Sequence, residues 1–145
     1  SMTAEPAGHP PVPEGFVLHD RRSPVTDPWR PIWARRSDTA FQLGLYLAEA
    51  HTNSRGLAHG GLISALADNA MGLTCWLHRP ESGGLVTVNL SVDFMGAGRI
   101  GQWLEIRPEM IRTGQTLAFA RALILADDAV IAQAAATFHV APPRS

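Results

Sequence analysis

The residues best suited to chemistry in this chain lie in one stretch, His51-Thr52-Asn53-Ser54-Arg55-Gly56-Leu57-Ala58-His59-Gly60-Gly61, with Asp68 seven residues further on. Two adjacent glycines at a helix start let the chain turn sharply and leave backbone N–H groups bare. Those groups, with the positive end of the helix dipole, can hold a developing oxyanion. A tight strand-to-helix turn needs the same two glycines, so the pair alone does not define a site. Asp68 is the sharper signal. It stands among Leu62, Ile63, Ala65, Leu66, Ala67, Ala70, Met71 and Leu73, where burying its charge unpaired costs several kcal/mol. It is therefore expected to reach a polar cleft, a partner or an interface, where a raised pKa would suit general-base work. A carboxylate hydrogen-bonded to backbone is the structural alternative.

Spacing adds a constraint. Gly60 and Asp68 are eight residues apart on one predicted helix, roughly 12 Å along its axis at ~1.5 Å per residue. A base must sit within ~3 Å of the proton it takes, or one water away, so the two cannot serve one small carbonyl from the same chain. If both act, Gly60 of one subunit faces Asp68 of another across a two-fold axis, and dimerisation makes the site.

The elements that must position these residues can be read from periodicity. Gly60 to Leu77 has no proline and no charge except Asp68, and its apolar residues fall on every face, which predicts a helix in the core rather than on it. Pro80 and the Gly83-Gly84 pair end it. From Leu85 to Met95, Val86, Val88, Leu90, Val92 and Phe94 alternate with Thr87, Asn89, Ser91 and Asp93, the pattern of a strand with one polar face. Gln102 to Arg112 reads as a strand with Pro108 at an edge or bulge. Thr113-Gly114-Gln115 then makes a turn, Thr116 to Leu125 a strand, Asp127-Asp128 a turn, and Val130 to Val140 a last strand. Ile32 to Arg36 and Ala40 to Glu49 flank a Ser37-Asp38 turn as a hairpin. The economical assembly is α+β, an antiparallel sheet wrapped around one central buried helix.

Residues 29–141 are expected to form this single domain of the 145-residue chain, with 1–28 as a lead-in. Seven of the 11 prolines lie at or before Pro31, so Met2 to Pro13 reads as a poorly ordered tail. Phe16 to Trp33 is apolar enough to pack on the domain. Ser1 ahead of Met2 reads as a cloning scar, and no signal-peptide layout follows it. Twelve basic and 13 acidic residues argue against nucleic acid or a membrane surface held by bulk charge. All twelve basic residues are arginine, which excludes a Schiff-base or P-loop lysine. Cys75 has no intrachain partner, which points to a cytoplasmic setting. No apolar run reaches the ~20 residues of a membrane span. A nucleophile elbow, a His-Glu-x-x-His helix and paired cysteines are all absent.

Three stretches carry a family resemblance: His51-x-Asn53-x-x-Gly56-x-x-His59-Gly60-Gly61 with Leu66 to Gly72; Val86 to Met95; and Gly114-Gln115-Thr116-Leu117-Ala118-Phe119. Together they resemble the hotdog-fold acyl-CoA thioesterases of the phenylacetate-degradation type, over about Ile32 to Val140. The resemblance implies a hotdog fold and hydrolysis of an acyl-CoA substrate to a free acid and CoA, with no cofactor. It implies that Asp68 activates water or attacks the thioester carbon, and that the Gly60 N–H polarises the carbonyl. Asn53 and His59 would shape that end of the site and Thr87 would help hold the water. It further implies a homodimer with shared active sites, possibly a homotetramer.

Coenzyme A phosphates must be met by arginine here. Arg55, Arg99 and Arg112 lie in loops or at strand ends near the proposed cleft, and each also suits a solvated surface. His139 on the last strand suits either the surface or the coenzyme. His9 and His19 fall in the lead-in, and His78 is placed to cap helix carbonyls. His51 and His59 lack a third ligand at a recognisable metal spacing. Ser64 reads as a small packing residue. Two other readings stay open, a non-catalytic acyl-CoA binding protein and a hotdog hydratase or dehydratase.

Overall fold

The segments read as strands and helix from their periodicity form those elements in the computed structural model, which describes residues 8–144. In chain order they are β1 (Val17–Leu18), β2 (Trp33–Arg36), β3 (Phe41–Tyr46), α1 (Gly60–His78), β4 (Leu85–Phe94), β5 (Trp103–Thr113), β6 (Leu117–Ala126) and β7 (Ala129–Val140). Short 3-10 turns lie at Asp27–Trp29 and Glu49–His51. All strands join one antiparallel sheet in the order β1-β2-β3-β5-β6-β7-β4. Asp127 and Asp128 both take positive φ in the two-residue turn between β6 and β7, as a hairpin matched to strand twist requires. Among the described residues no helix is long and apolar enough to cross a membrane.

The sheet packs its inner face on α1, with small side chains on the two strands β6 and β7. Ala118, Ala120 and Ala122 of β6 and Ala132, Ala134 and Ala136 of β7 are all buried. Against them α1 sets Leu62, Ile63, Leu66, Ala67, Ala70, Met71, Thr74 and Cys75, a stripe recurring every turn. Buried Thr74 accepts the Phe41 N–H at 3.0 Å, and burial pushes the Cys75 thiol up to about 11, leaving it inert. The helix is not enclosed on all sides, as its all-round apolar sequence led one to expect. Ser64, Ala65, Asp68, Asn69, Gly72 and Leu73 face away from the stripe and are only half-buried, because a single sheet covers a single side.

The amino-terminal segment is more ordered than its prolines suggest. Residues 2–7 of the expected loose tail lie outside the described residues, but 8–13 lie against the sheet. Tyr46 donates its hydroxyl to the Pro11 carbonyl at 2.6 Å, and the His9 ring lies 5.0 Å from that of Trp33. Val12 packs with Leu18 and Tyr46 on an outer-face cluster of Phe16, Trp33 and Trp103. An aromatic patch on the outer sheet face must be covered by something, and this segment covers it. Trp103 lies flat across Gly44 and donates Nε1–H to buried Glu105 at 2.9 Å. A Cβ at position 44 would run into that ring. Gly44→Ala is therefore expected to lower stability by about 1–3 kcal/mol through overpacking, read as a fall in the denaturation midpoint.

Pro108 sits where β5 has lost one neighbour, since pairing with β3 ends at Ile106, while its pairing with Ala122 of β6 continues in register. The bulge in β5 falls later, between Met110 and Arg112.

Two buried histidines make the fold acid-sensitive. Burial, with Arg30 nearby, pushes His19 down to about 4 from the ordinary 6.5, and its Nδ1 has no partner among the described residues. His51 is also lowered by burial, against a hydrogen bond to Trp29 that raises it. Between pH 6.5 and 4 the unfolded chain takes up protons that the folded chain refuses, so stability present above 6.5 is lost as pH falls. The His19 contribution is on the order of 3 kcal/mol. The melting temperature of a His19→Gln variant should fall less than that of the wild type between pH 7 and 4.5.

Candidate active site

The loop before α1 is built from its own polar groups. Asn53 Oδ1 accepts the N–H groups of Arg55 at 2.9 Å and Leu57 at 3.1 Å, and Gly56 turns the chain with φ +74°. His51 Nδ1 accepts the Ala48 N–H and Nε2 donates to the Trp29 carbonyl, each at 2.9 Å, so both ring nitrogens are engaged. Its carbonyl accepts the His59 N–H. His59 caps the helix, its Nδ1 accepting the Gly61 N–H at 2.8 Å while its carbonyl accepts that of Ile63. The Gly60 N–H has no partner among the described residues. A bare amide at the positive end of a 19-residue helix is free to donate a hydrogen bond. The Phe94 ring lies over Gly60, and a Cβ there would be 3.2 Å from its Cζ.

Asp68 points from the uncovered side of α1 towards β4, where Thr87 donates its hydroxyl to Oδ1 at 2.6 Å. Strict alternation along β4 would keep Thr87 on the face opposite Leu90 and Val92. The register with β7 shifts between Thr87 and Asn89, so Val88 is an extra, bulged residue. Thr87 therefore pairs with Phe138, and beyond the bulge Leu90, Val92 and Phe94 pair with Ala136, Ala134 and Ala132. Residues paired across strands share a face, and Phe138 and these alanines all point inward. Thr87 thus faces the helix because of the bulge, and not because it belongs to a continuous polar face.

The pair opens into a groove of about 460 Å³ along α1, lined by Asp68, Asn69, Gly72 and Trp76 of the helix, with Thr87 and Phe138 from the sheet. Its other wall is Arg21, Ser23, Val25 and Thr26 of the lead-in. Nothing in the spacing of residues 21–26 marked them as part of a site, because only the path of the chain across the helix puts them there.

The remaining candidates divide between the two ends of α1. Arg55 and Arg99 lie near its start, since Leu57 bridges Arg99 and the Ala58 N–H bonds to the Gly98 carbonyl. Arg112 lies near its end, beside the turn where Arg79, which follows α1, reaches Thr113 and Gly114. His139 pairs with Val86 and Leu117 and is exposed on the outer face, away from Asp68. His78 Nε2 donates to the Thr39 carbonyl across the fold, 3.1 Å away, instead of capping α1. Ser64 donates to the Gly60 carbonyl at 2.7 Å. Among the described residues no three His, Cys, Asp or Glu side chains gather to hold a metal ion.

A sequence profile described as the thioesterase superfamily matches residues 55–133, which includes α1 and most of the sheet. A Pseudomonas aeruginosa protein named "Putative esterase" is 40% identical over 131 residues, 89% of this chain and 97% of that one. Acyl-coenzyme A thioesterase 13 of Mus musculus is 38% identical over 74 residues, about half of each chain (50% and 51%). The fold is also that of a Streptococcus mutans protein crystallised with acetyl CoA, with TM-score 0.74 and 22% identity over 88% of this chain and 98% of that one. With an antiparallel sheet around one helix, a helix start that offers a bare amide, and relatives named for this chemistry, the chain belongs to the thioesterase superfamily as a hotdog-fold thioester hydrolase.

Proposed function

We propose that this enzyme hydrolyses acyl-CoA thioesters at a site shared between two copies of the chain. The observation that carries the proposal is Asp68, held by Thr87 at 2.6 Å in a groove, with the bare Gly60 amide about 12 Å away on the same helix. Thr87 occupies Oδ1 and orients the carboxylate. The other oxygen takes a proton from water as the water oxygen adds to the thioester carbon. The carbonyl oxygen becomes an oxyanion held by the partner's Gly60 N–H. Collapse of the intermediate breaks the C–S bond, releasing CoA thiolate, which is protonated, and the free acid. Arg55 and Arg99, at the Gly60 end, are placed for the CoA phosphates. Arg112 and His139 are not near that end.

The outer edge of β4 supports a second copy. It ends the sheet, ten residues long, with Val86 and Val88 64% and 60% exposed, the kind of open edge that pairs with another strand. Two β4 strands paired antiparallel about an axis at Ser91 set the Thr87-Val88 bulge of one copy opposite Phe94 of the other. Phe94 covers Gly60, so this pairing carries the partner's Gly60 towards Asp68 and bridges the gap that one helix cannot. Thiol release from a panel of acyl-CoAs tests the activity. Tight binding without release would make the protein an acyl-CoA binder, and loss of enoyl absorbance without release a hydratase.

A further inference from the structure

The groove over α1 runs well past Asp68. Trp76 lies eight residues beyond it on the same helix, roughly 12 Å along the axis. The apolar part of the groove lining is Gly72 and Leu73 of the helix, Leu85 and Phe138 of the sheet and Val25 of the lead-in, with Asn69, Ser23 and Thr26 as polar neighbours. That lining suits hydrocarbon better than the amide-rich pantetheine arm or the phosphates of CoA. At the far end the Arg21 guanidinium lies 4.6 Å from the centre of the Trp76 ring, and that of Arg36 lies 5.6 Å from it. Two cations held by the ring's electron-rich face brace the indole across the end of the groove.

We infer that this groove receives the acyl chain of the substrate and that Trp76, braced by Arg21, is the wall that limits its length. Residues 21–26 lie outside the segment matched to the superfamily, so this enzyme's choice of acyl group is set by its own lead-in as much as by the shared fold. The inference rests on Asp68 being the catalytic carboxylate, because that fixes where the carbonyl sits. An extended alkyl chain advances about 1.25 Å per C–C bond, so roughly eight to ten carbons span the distance from Asp68 to Trp76. Gly72, one helix turn past Asp68, keeps the passage open. A Cβ there meets only the Phe138 ring, with Cε1 at 3.4 Å and Cζ at 3.7 Å, so a longer side chain can be built into the groove.

The test is kcat/KM by thiol release over straight-chain acyl-CoAs of about four to about sixteen carbons, for the wild type and for Trp76→Ala, Arg21→Ala and Gly72→Leu. The wild type should peak near eight to ten carbons. Trp76→Ala should raise the ratio of long-chain to optimal-chain turnover by about tenfold or more, the size of a few methylenes of pocket, and Arg21→Ala should shift it in the same direction. Gly72→Leu should move the optimum to the shortest esters. Should Trp76→Ala fail to fold, the other two variants decide the matter. If variants that melt like the wild type keep its chain-length profile, the inference is overturned while the catalytic reading stands. If Asp68→Ala hydrolyses the same panel at the wild-type rate, the catalytic reading fails instead.

Discussion

Replacing Asp68 with alanine is expected to lower kcat for acyl-CoA hydrolysis by about 10²–10⁴-fold, the usual contribution of a positioned base. Melting temperature and subunit assembly should change little, because Asp68 is half-buried on the uncovered side of α1 and, among the described residues, its one side-chain partner is Thr87 on the neighbouring strand. Asn at this position keeps the shape and a hydrogen bond to Thr87 but cannot take a proton. Asp68→Asn should therefore be nearly as slow as Asp68→Ala. Equal rates for wild type and both variants would remove Asp68 from the reaction and leave its bond to Thr87 as a packing feature.

The second large effect separates a site within one chain from a site between two. Gly60→Pro removes the amide at position 60 while placing proline at the first position of a helix, where it is favoured. It should be nearly inactive, as should Asp68→Ala. In mixed dimers of the two variants, one of the two sites combines an intact Asp68 from one chain with an intact Gly60 from the other. An equimolar, randomly assorted mixture of two-fold dimers should thus recover about a quarter of wild-type activity. Each variant alone should show almost none. No recovery from a mixture that demonstrably forms mixed dimers would mean that Asp68 and Gly60 act in the same chain or not together.

Much of this was legible before any coordinates. The helix was visible because nineteen residues without proline carry one charge, and the strands because their residues alternate between short turns. Asp68 stood out because an ionised carboxylate among aliphatic side chains demands an explanation. The gap between Gly60 and Asp68 followed from helix geometry alone. Asn53 and His59 were also legible as members of the loop, but not their work. Asn53 spends its oxygen on two loop amides and His59 spends Nδ1 on Gly61, partnerships set by backbone directions that residue types do not encode.

Three features needed the tertiary structure. The first is the face of Thr87: alternation repeats every two residues, so one bulged residue at Val88 reverses every side chain beyond it, and periodicity cannot see where a bulge falls. The second is the open side of α1, since an apolar surface is the same in sequence whether a sheet, a lead-in or another subunit covers it. The third is the far wall of the groove, where Arg21 meets Trp76 across 55 positions of chain. Local sequence determined the elements and singled out the carboxylate. Long-range contacts decided which of its neighbours could reach it, because which side chains meet depends on how the elements cross, and no local pattern records that.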